Sequence, residues 1–188
     1  MLGVLNFTLL TGLGAALTLE SSAKAEKYNN LPLAFTTTMR IPVGMDAGAP
    51  TWFGATHECT DPNGLRMAYG SDGLNPELQW NFYEDRGYFR IENVGKKNQG
   101  CFDSAWLRPN TPCNDHDVRR EANVYDEGLW KVEPTGEGTY ELISYVKDLN
   151  CRDAVMGATP DGKHFRFTYN DGSGRTEWQF SNTGGDKA

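Results

Sequence analysis

A tripeptide that places a thiol and a carboxylate two residues apart occurs three times in this chain. The copies share the pattern Cys-x-Asp, and they are Cys59-Thr60-Asp61, Cys101-Phe102-Asp103 and Cys151-Arg152-Asp153. A cysteine can form a disulfide or bind a metal, and a carboxylate offers two acceptor oxygens for charge-assisted hydrogen bonds. These tripeptides are therefore the first candidates for bridging or binding chemistry.

Each copy is followed by a tryptophan, and the three are Trp80, Trp130 and Trp178. The interval from Trp80 to Cys101 equals the interval from Trp130 to Cys151. Matched landmarks at a fixed interval indicate an internal repeat. We expect the tryptophans to be core anchors, because each buries about 200 Å². Since no such repeat buries its apolar face alone, three must close on each other.

Short stretches of alternating apolar and polar residues recur between turns. Residues 65–69 alternate as a half-buried strand does, and residues 165–169 repeat the pattern. Residues 35–43 and 52–57 predict two further strands. With 21 Gly, 9 Pro, 12% aromatic residues and no long helical pattern, the chain is predicted to be all-β, with about four strands in each repeat and about twelve in total.

Four cysteines allow three disulfide connectivities. A local bridge between Cys101 and Cys113 is expected, because these two enclose a short loop. Cys59 and Cys151 are taken as equivalent positions in their repeats, with Tyr69 and Tyr169 in place of local partners. They either pair with each other or stay as buried thiols, and the second alternative is favoured because equivalent positions in separate repeats need not approach within about 7 Å.

Charge and motif content exclude several classes of function. The 188 residues suit one domain and carry a net charge of −7, which disfavours nucleic acid as a partner. The pairs Lys96-Lys97 and Arg119-Arg120 are expected to be solvated loop charges. No metal or cofactor is expected, because the chain lacks Cys-x-x-Cys and its three histidines are isolated. No enzyme is expected either, because nucleophile elbows, paired-histidine motifs and glycine-rich phosphate loops are missing.

The first residues have the character of an export signal. Residues 2–19 are apolar or small and uncharged, and Ala23-Lys24-Ala25 fits a small-x-small cleavage site. We expect a signal peptide over 1–25, with a retained anchor as the alternative, then a polar lead-in over 26–34, the domain over 35–184 and a tail over 185–188. The mature protein is then secreted, extracellular or periplasmic, without stable membrane insertion.

The order of strand, Cys-x-Asp, strand and Trp-x-apolar over residues 35–184 resembles the ricin B-type β-trefoil lectins. The resemblance implies a six-stranded barrel capped by three hairpins, and it matches the Cys101–Cys113 pair to the family's local disulfide. The family's Gln-x-Trp is not kept, because Leu78, Gly128 and Thr176 stand two residues before the tryptophans.

In that family the Asp of Cys-x-Asp accepts hydrogen bonds from sugar hydroxyls, and an aromatic ring forms a platform for the sugar. The resemblance therefore implies one or more sugar pockets, and the third copy is the best candidate. Their residues are Asp153, Phe167, Asn170 and Arg175 in the third copy, Asp103 and Trp106 in the second, and Asp61 beside Tyr69 in the first. Alternatively, these Asp residues cap the turns that follow them, which is the favoured interpretation for Asp61.

The function implied is a secreted lectin-like module with a glycan or glycoconjugate as its partner. One alternative is the receptor-binding or partner-binding subunit of a multi-component secreted toxin, similar to the binding subunits of cytolethal distending toxins. Another is a Kunitz-type β-trefoil protease inhibitor, against which the repeated Cys-x-Asp argues.

Overall fold

A computed structural model describes residues 30–56, 64–69, 75–101, 105–109, 118–121, 128–136, 138–146, 154–168 and 172–182. The chain divides into the units Met1–Leu31 and Pro32–Ala188, and the fold below belongs to the second. The expected signal peptide, residues 1–25, lies outside the described residues.

The described residues contain twelve strands in three repeats of four. The first repeat has β1 (Leu33–Arg40), β2 (Trp52–Ala55), β3 (Leu65–Ala68) and β4 (Gln79–Asp85). The second has β5 (Tyr88–Asn93), β6 (Trp106–Pro109), β7 (Val118–Glu121) and β8 (Trp130–Pro134). The third has β9 (Thr139–Ser144), β10 (Val155–Ala158), β11 (Phe165–Thr168) and β12 (Trp178–Asn182). A 3₁₀ turn, Pro76–Leu78, precedes β4, and a short helix α1 (Val94–Asn98) follows β5.

The first and last strands of the repeats form a closed six-stranded barrel. Antiparallel pairing runs from β1 through β4, β5, β8, β9 and β12, and β12 pairs with β1 again. The second and third strands of each repeat pair as hairpins, β2–β3, β6–β7 and β10–β11. A six-stranded barrel with three hairpins is the β-trefoil, so the predicted fold class is confirmed.

A tight turn joins the first repeat to the second between β4 and β5. Its two central residues, Arg86 and Gly87, have φ angles of 58° and 82°. Positive φ at both positions is the geometry of a type I′ turn, whose twist matches that of the flanking strands. The turn therefore sets the register in which Asp85 pairs with Tyr88.

The three repeat tryptophans lie at the centre of the core, as predicted, and are fully buried. Each indole N–H donates a hydrogen bond to the second residue of its repeat's second strand. The bonds run from Trp80 to Phe53 O (3.1 Å), from Trp130 to Leu107 O (2.9 Å) and from Trp178 to Met156 O (2.9 Å). A buried indole therefore keeps its one polar group satisfied while fastening a hairpin to the barrel.

Candidate binding corners and cross-strand rows

In each repeat a backbone hydrogen bond closes the segment between the first and second strands, here called a corner. The bonds run from Ile41 N to Thr51 O (3.0 Å), from Asn93 N to Ala105 O (2.8 Å) and from Ser144 N to Ala154 O (3.0 Å). Corner 1 is therefore 42–50, corner 2 is 94–104 and corner 3 is 145–153. The repeated bond places the ends of these three segments at equivalent positions of their repeats.

The tripeptides occupy only two of the three corners. Cys101-Phe102-Asp103 lies in corner 2 and Cys151-Arg152-Asp153 in corner 3, whereas Cys59-Thr60-Asp61 lies between β2 and β3. The expected equivalence of the three copies is therefore wrong for the first. By position, Cys59 corresponds to Cys113, because each follows the end of its repeat's second strand by the same interval.

Two expectations that rested on this alignment change with it. Cys59 and Cys151 are not repeat equivalents, since one lies in a hairpin and the other in a corner. Cys113 is not the counterpart of Tyr169, because Cys113 precedes β7 whereas Tyr169 follows β11. The physical reason is that strand pairing, and not the local tripeptide, defines a position within a repeat.

Corner 1 is packed against the third repeat through its backbone. Asp46 N donates a hydrogen bond to Pro160 O at 2.9 Å. Gly44 has a φ of +83°, and a Cβ there would lie 2.1 Å from Ser173 O. Glycine is therefore required at this contact, and the exposed carboxylate of Asp46 is the acid that corner 1 presents.

Corner 2 is fixed at both ends of α1. The side chain of Asn93 caps the helix by accepting a hydrogen bond from Lys96 N at 3.1 Å, and Cys101 N donates to Lys96 O at 2.9 Å. Cys101 is buried, and its expected bridge to Cys113 stays a prediction, because Cys113 lies outside the described residues. These contacts anchor the backbone just before Asp103.

The lysine pair of α1 is not solvated as expected. Lys96 is fully buried. Lys97 Nζ lies 3.0 Å from Glu92 Oε2 and donates to the Tyr83 hydroxyl at 2.9 Å. The expectation of free loop charges is therefore wrong for Lys96-Lys97, because Lys96 is buried and Lys97 is paired with Glu92.

A network of four polar groups forms beneath corner 2. The Tyr83 hydroxyl donates to Glu92 Oε2 at 2.8 Å and accepts from Asn81 Nδ2 at 3.3 Å as well as from Lys97. The Trp106 ring packs on Tyr83, with ring centroids 5.5 Å apart. The rings of Trp106 and Tyr83 therefore cover one side of this polar network.

Burial and hydrogen bonding together set the charge states in this network. Burial raises the pKa of Tyr83, and acceptance by Glu92 raises it further, against the opposing effect of Lys97. Burial lowers the pKa of Lys97, but its bonds to Tyr83 and Glu92 outweigh burial and raise the pKa overall. At neutral pH the phenol is neutral and the amine charged, so the network suits holding and orienting groups more than exchanging protons.

Corresponding strands carry three equivalent rows of outward-facing side chains, here called cross-strand rows. Each runs from the last strand of one repeat across the first three strands of the next, with members directly opposite one another in the ladders. Row 1 is Gln179, Arg40, Trp52 and Ala68. Row 2 is Asn81, Glu92 and Trp106, and the backbone position opposite Trp106 on β7 is Glu121. Row 3 is Lys131, Ile143, Val155 and Thr168. Opposite residues share a face of the sheet.

Three of the predicted carbohydrate-binding residues can be placed in the structure. Phe167 is only 2% exposed and stacks on Trp130 at 5.8 Å, so the expected sugar platform is a core residue. Its strand position alternates with exposed Arg166, which is why its side chain faces inward. Trp106 is 8% exposed, and half-buried Arg175 accepts a bond from Ala158 N at its carbonyl.

The remaining predicted site residues lie outside the described residues, and they are Asp61, Asp103, Asp153, Asn170 and Cys113. In the part of the chain that is described, no three His, Cys, Asp or Glu side chains converge as a metal site would require. No helix within those ranges has the length and apolar character needed to cross a membrane.

Apart from Trp106, the residues of rows 1 and 2 were not predicted as site residues from the sequence. Glu92 and Lys97 are separated by a strand end and a helix cap, so neither the helical nor the strand period links them. Arg40 and Gln179 lie 139 residues apart, and only closure of the barrel brings them together. The one available signal was the polar outward position of alternating strand residues.

No protein-family model and no curated protein sequence matches the chain. Among solved structures, the designed three-fold symmetric protein ThreeFoil matches with a TM-score of 0.57 and 15% identity, over 78% of this chain and 98% of that one. SeviL bound to the asialo-GM1 saccharide matches with 0.55 and 15%, over 80% and 98%. The BEL β-trefoil matches with 0.56 and 13%, over 81% and 96%. At these identities the likeness shows the fold, and membership of the ricin B-type family stays a prediction.

Proposed function

We propose that the chain is a secreted carbohydrate-binding module of the lectin type, which recognises glycans through shallow pockets at corners 2 and 3. The observation that carries this proposal is the equivalence of these two corners. Asp103 and Asp153 each come shortly before the residue, Ala105 or Ala154, whose carbonyl closes the corner. In sequence, the two aspartates therefore come near the same end of two corners whose closing bonds are equivalent.

Carboxylates at such positions suit sugar recognition. One carboxylate accepts bonds from two adjacent hydroxyls, and bonds to a charged acceptor are about twice as strong as neutral ones. Corner 1 carries no Cys-x-Asp and packs against the third repeat, so we expect it to bind weakly or not at all. The saccharide-bound trefoil SeviL supports glycans as the ligand class.

Secretion and a binding role complete the proposal. The predicted disulfide between Cys101 and Cys113 would require an oxidising compartment, since such bonds rarely persist in the cytosol. The role proposed is binding and not catalysis, in keeping with the fixed charge states around Tyr83. Because a single shallow pocket binds weakly, useful affinity comes from engaging two pockets on one branched or clustered glycan.

A glycan array on the full chain tests the proposal. Asp103→Ala and Asp153→Ala are each expected to lower affinity for bound glycans by about tenfold or more, from the loss of bonds worth about 1.5–3 kcal/mol. Asp46→Ala removes the exposed carboxylate of corner 1 and is the matched control. Unaltered binding in both corner variants, or no glycan bound by the natural chain, would contradict the proposal.

A further inference from the structure

We propose that Gln179, Arg40 and Trp52 of cross-strand row 1 form an anion-binding site that selects glycans carrying an acidic group. This inference rests on the proposed function and names the ligand class at a second location on the barrel. The ligand chemistry is a single carboxylate or sulfate on a saccharide.

Arg40 is held at two points. Its Nε donates to Gln179 Oε1 at 2.7 Å, and its guanidinium carbon lies 5.5 Å from the centroid of the Trp52 ring. The three residues are direct cross-strand neighbours, so the sheet itself fixes their spacing. A guanidinium ordered in advance loses less rotamer freedom on binding a ligand.

The two Nη groups of Arg40, which the bond to Gln179 leaves unused, are the groups that would bind an anion. With Nε engaged, the two Nη groups keep the parallel N–H pair that matches a carboxylate or sulfate edge. The ion pairs of the described residues hold Arg66, Arg86, Arg90, Lys97, Lys131 and Lys163, and none holds Arg40.

The equivalent rows show why row 1 differs. In row 2, Glu92 stands in the place of Arg40 and Trp106 in the place of Trp52. There the chain supplies its own counter-ion, because Lys97 pairs with Glu92, and Asn81, Glu92 and Trp106 are buried. Row 3 has apolar Ile143 and Val155 at these places. Row 1 thus combines an indole with a cation that has no ion pair among the described residues, and its four members are all half-exposed.

The surroundings favour a saccharide as the bearer of the acid. A net charge of −7 disfavours polyanions, whose binding draws on many cations, but one acidic group on an otherwise neutral molecule meets little repulsion. The amide NH₂ of Gln179 is available for a sugar hydroxyl, and the exposed part of the Trp52 ring suits the apolar face of a pyranose.

Titration of the full chain with matched monosaccharides tests the site, read by ¹⁵N NMR of the Arg40 Nε and Trp52 Nε1 signals. Methyl glucuronide is expected to shift both signals, and methyl glucoside at the same concentration is not. A sulfated methyl glucoside distinguishes a preference for carboxylate from a preference for any anion. Absence of a shift with both acidic probes would overturn the proposal.

Variants separate this inference from the proposed function. Arg40→Gln is expected to lower affinity for acidic glycans by about tenfold, the scale of one charge-assisted interaction, while neutral glycans bind as before. Arg40→Lys keeps the charge but loses the fork, so it should recover only part of the affinity. Arg166→Gln, at an exposed position of β11, removes the same charge elsewhere and should change nothing.

The outcomes are distinct. If neutral glycans bind through corners 2 and 3 and acidic ones are bound no better, only the row 1 site is wrong. If the glucuronide shifts Arg40 and Trp52 but Asp103 and Asp153 prove irrelevant to glycan binding, the corner pockets are wrong and row 1 stands. Thermal unfolding of each variant shows that a lost interaction is not a lost fold.

Discussion

Glu92 Oε2 accepts hydrogen bonds from two side chains at once, from Lys97 Nζ at 3.0 Å and from the Tyr83 hydroxyl at 2.8 Å. The carboxylate is buried on the outer face of the barrel, under a helix that the sequence does not mark as part of any site. The Glu92–Lys97 ion pair joins β5 to corner 2. It therefore connects the proposed binding segment to the barrel.

Lys97→Met is expected to destabilise the protein by about 1–2 kcal/mol, because Glu92 loses its cation. The effect stays below the full cost of breaking a buried pair, since the Lys97 side chain is 43% exposed. Chemical denaturation measures it, with Lys163→Met as the control at a more exposed ion pair. Equal stability of the two variants would contradict the role given to Lys97.

Stability is expected to fall as the pH rises above about 10. The folded-state pKa values of Tyr83 and Lys97 both lie above their ordinary values of 10.0 and 10.5, so the folded state holds these protons more tightly. Their contribution is complete below pH 10 and is lost as the pH passes the raised values. Denaturation midpoints measured between pH 8 and 12 check this fall, and an unchanged midpoint across that range would contradict it.

Trp130→Phe is expected to cost about 1–3 kcal/mol beyond the loss of ring volume, because the buried carbonyl of Leu107 loses its donor. Trp178→Phe should behave alike, since its indole makes the equivalent bond to Met156 O. Trp52→Phe, on the half-exposed row 1, serves as the comparison. Similar losses in the core and row 1 variants would mean that the indole bonds contribute little.

Phe167→Ala is expected to lower the free energy of unfolding by about 3–5 kcal/mol, as for other large-to-small core changes. Tyr69→Ala is the control, because Tyr69 is 77% exposed and surface changes usually stay within about 0.5 kcal/mol. Loss of glycan binding by Phe167→Ala at unchanged stability would restore the platform role.

The Asp161 carboxyl is expected to titrate with a pKa of about 2. Hydrogen bonds from Thr159 Oγ1 at 2.7 Å and from Lys163 N at 3.1 Å favour its charged form. ¹³C NMR of the carboxyl signal measures the midpoint, and Thr159→Val should raise it towards the ordinary 3.8. A midpoint near 3.8 in the natural chain would show that these bonds do not persist in solution.

Local pattern was sufficient for the fold because the features that define it are local. Period-two stretches placed β3 and β11 correctly, and the burial of Trp130 followed from its size. The alignment of the three repeats with one another depends on strand pairing, so it could not be predicted from local sequence. Cys59 shares its tripeptide with Cys101, yet pairing of β2 with β3 puts Cys59 inside a hairpin, and no tryptophan upstream of the first repeat gave a second landmark.

The residues of the proposed sites were harder to predict than the fold, for a related reason. The strand pattern predicts that Phe167 and Arg166 face opposite sides of the sheet, but it does not show which side is the core. The resemblance placed Phe167 on the outer side as a sugar platform, and that placement was wrong. Arg40, Trp52 and Gln179 come from three strands of two repeats, so their proximity exists only after the barrel has closed.

The barrel closes when its first strand pairs with its last, so closure has to wait until β12 has been synthesised. β12 pairs with β1 across most of the chain, and such distant contacts form slowly. Until Trp178 and the residues after it have left the ribosome, β1 and β9 keep unpaired edges of the kind that attract other chains. The nascent protein is therefore most vulnerable to association and proteolysis just before its final strand is made, whatever the strength of the finished core.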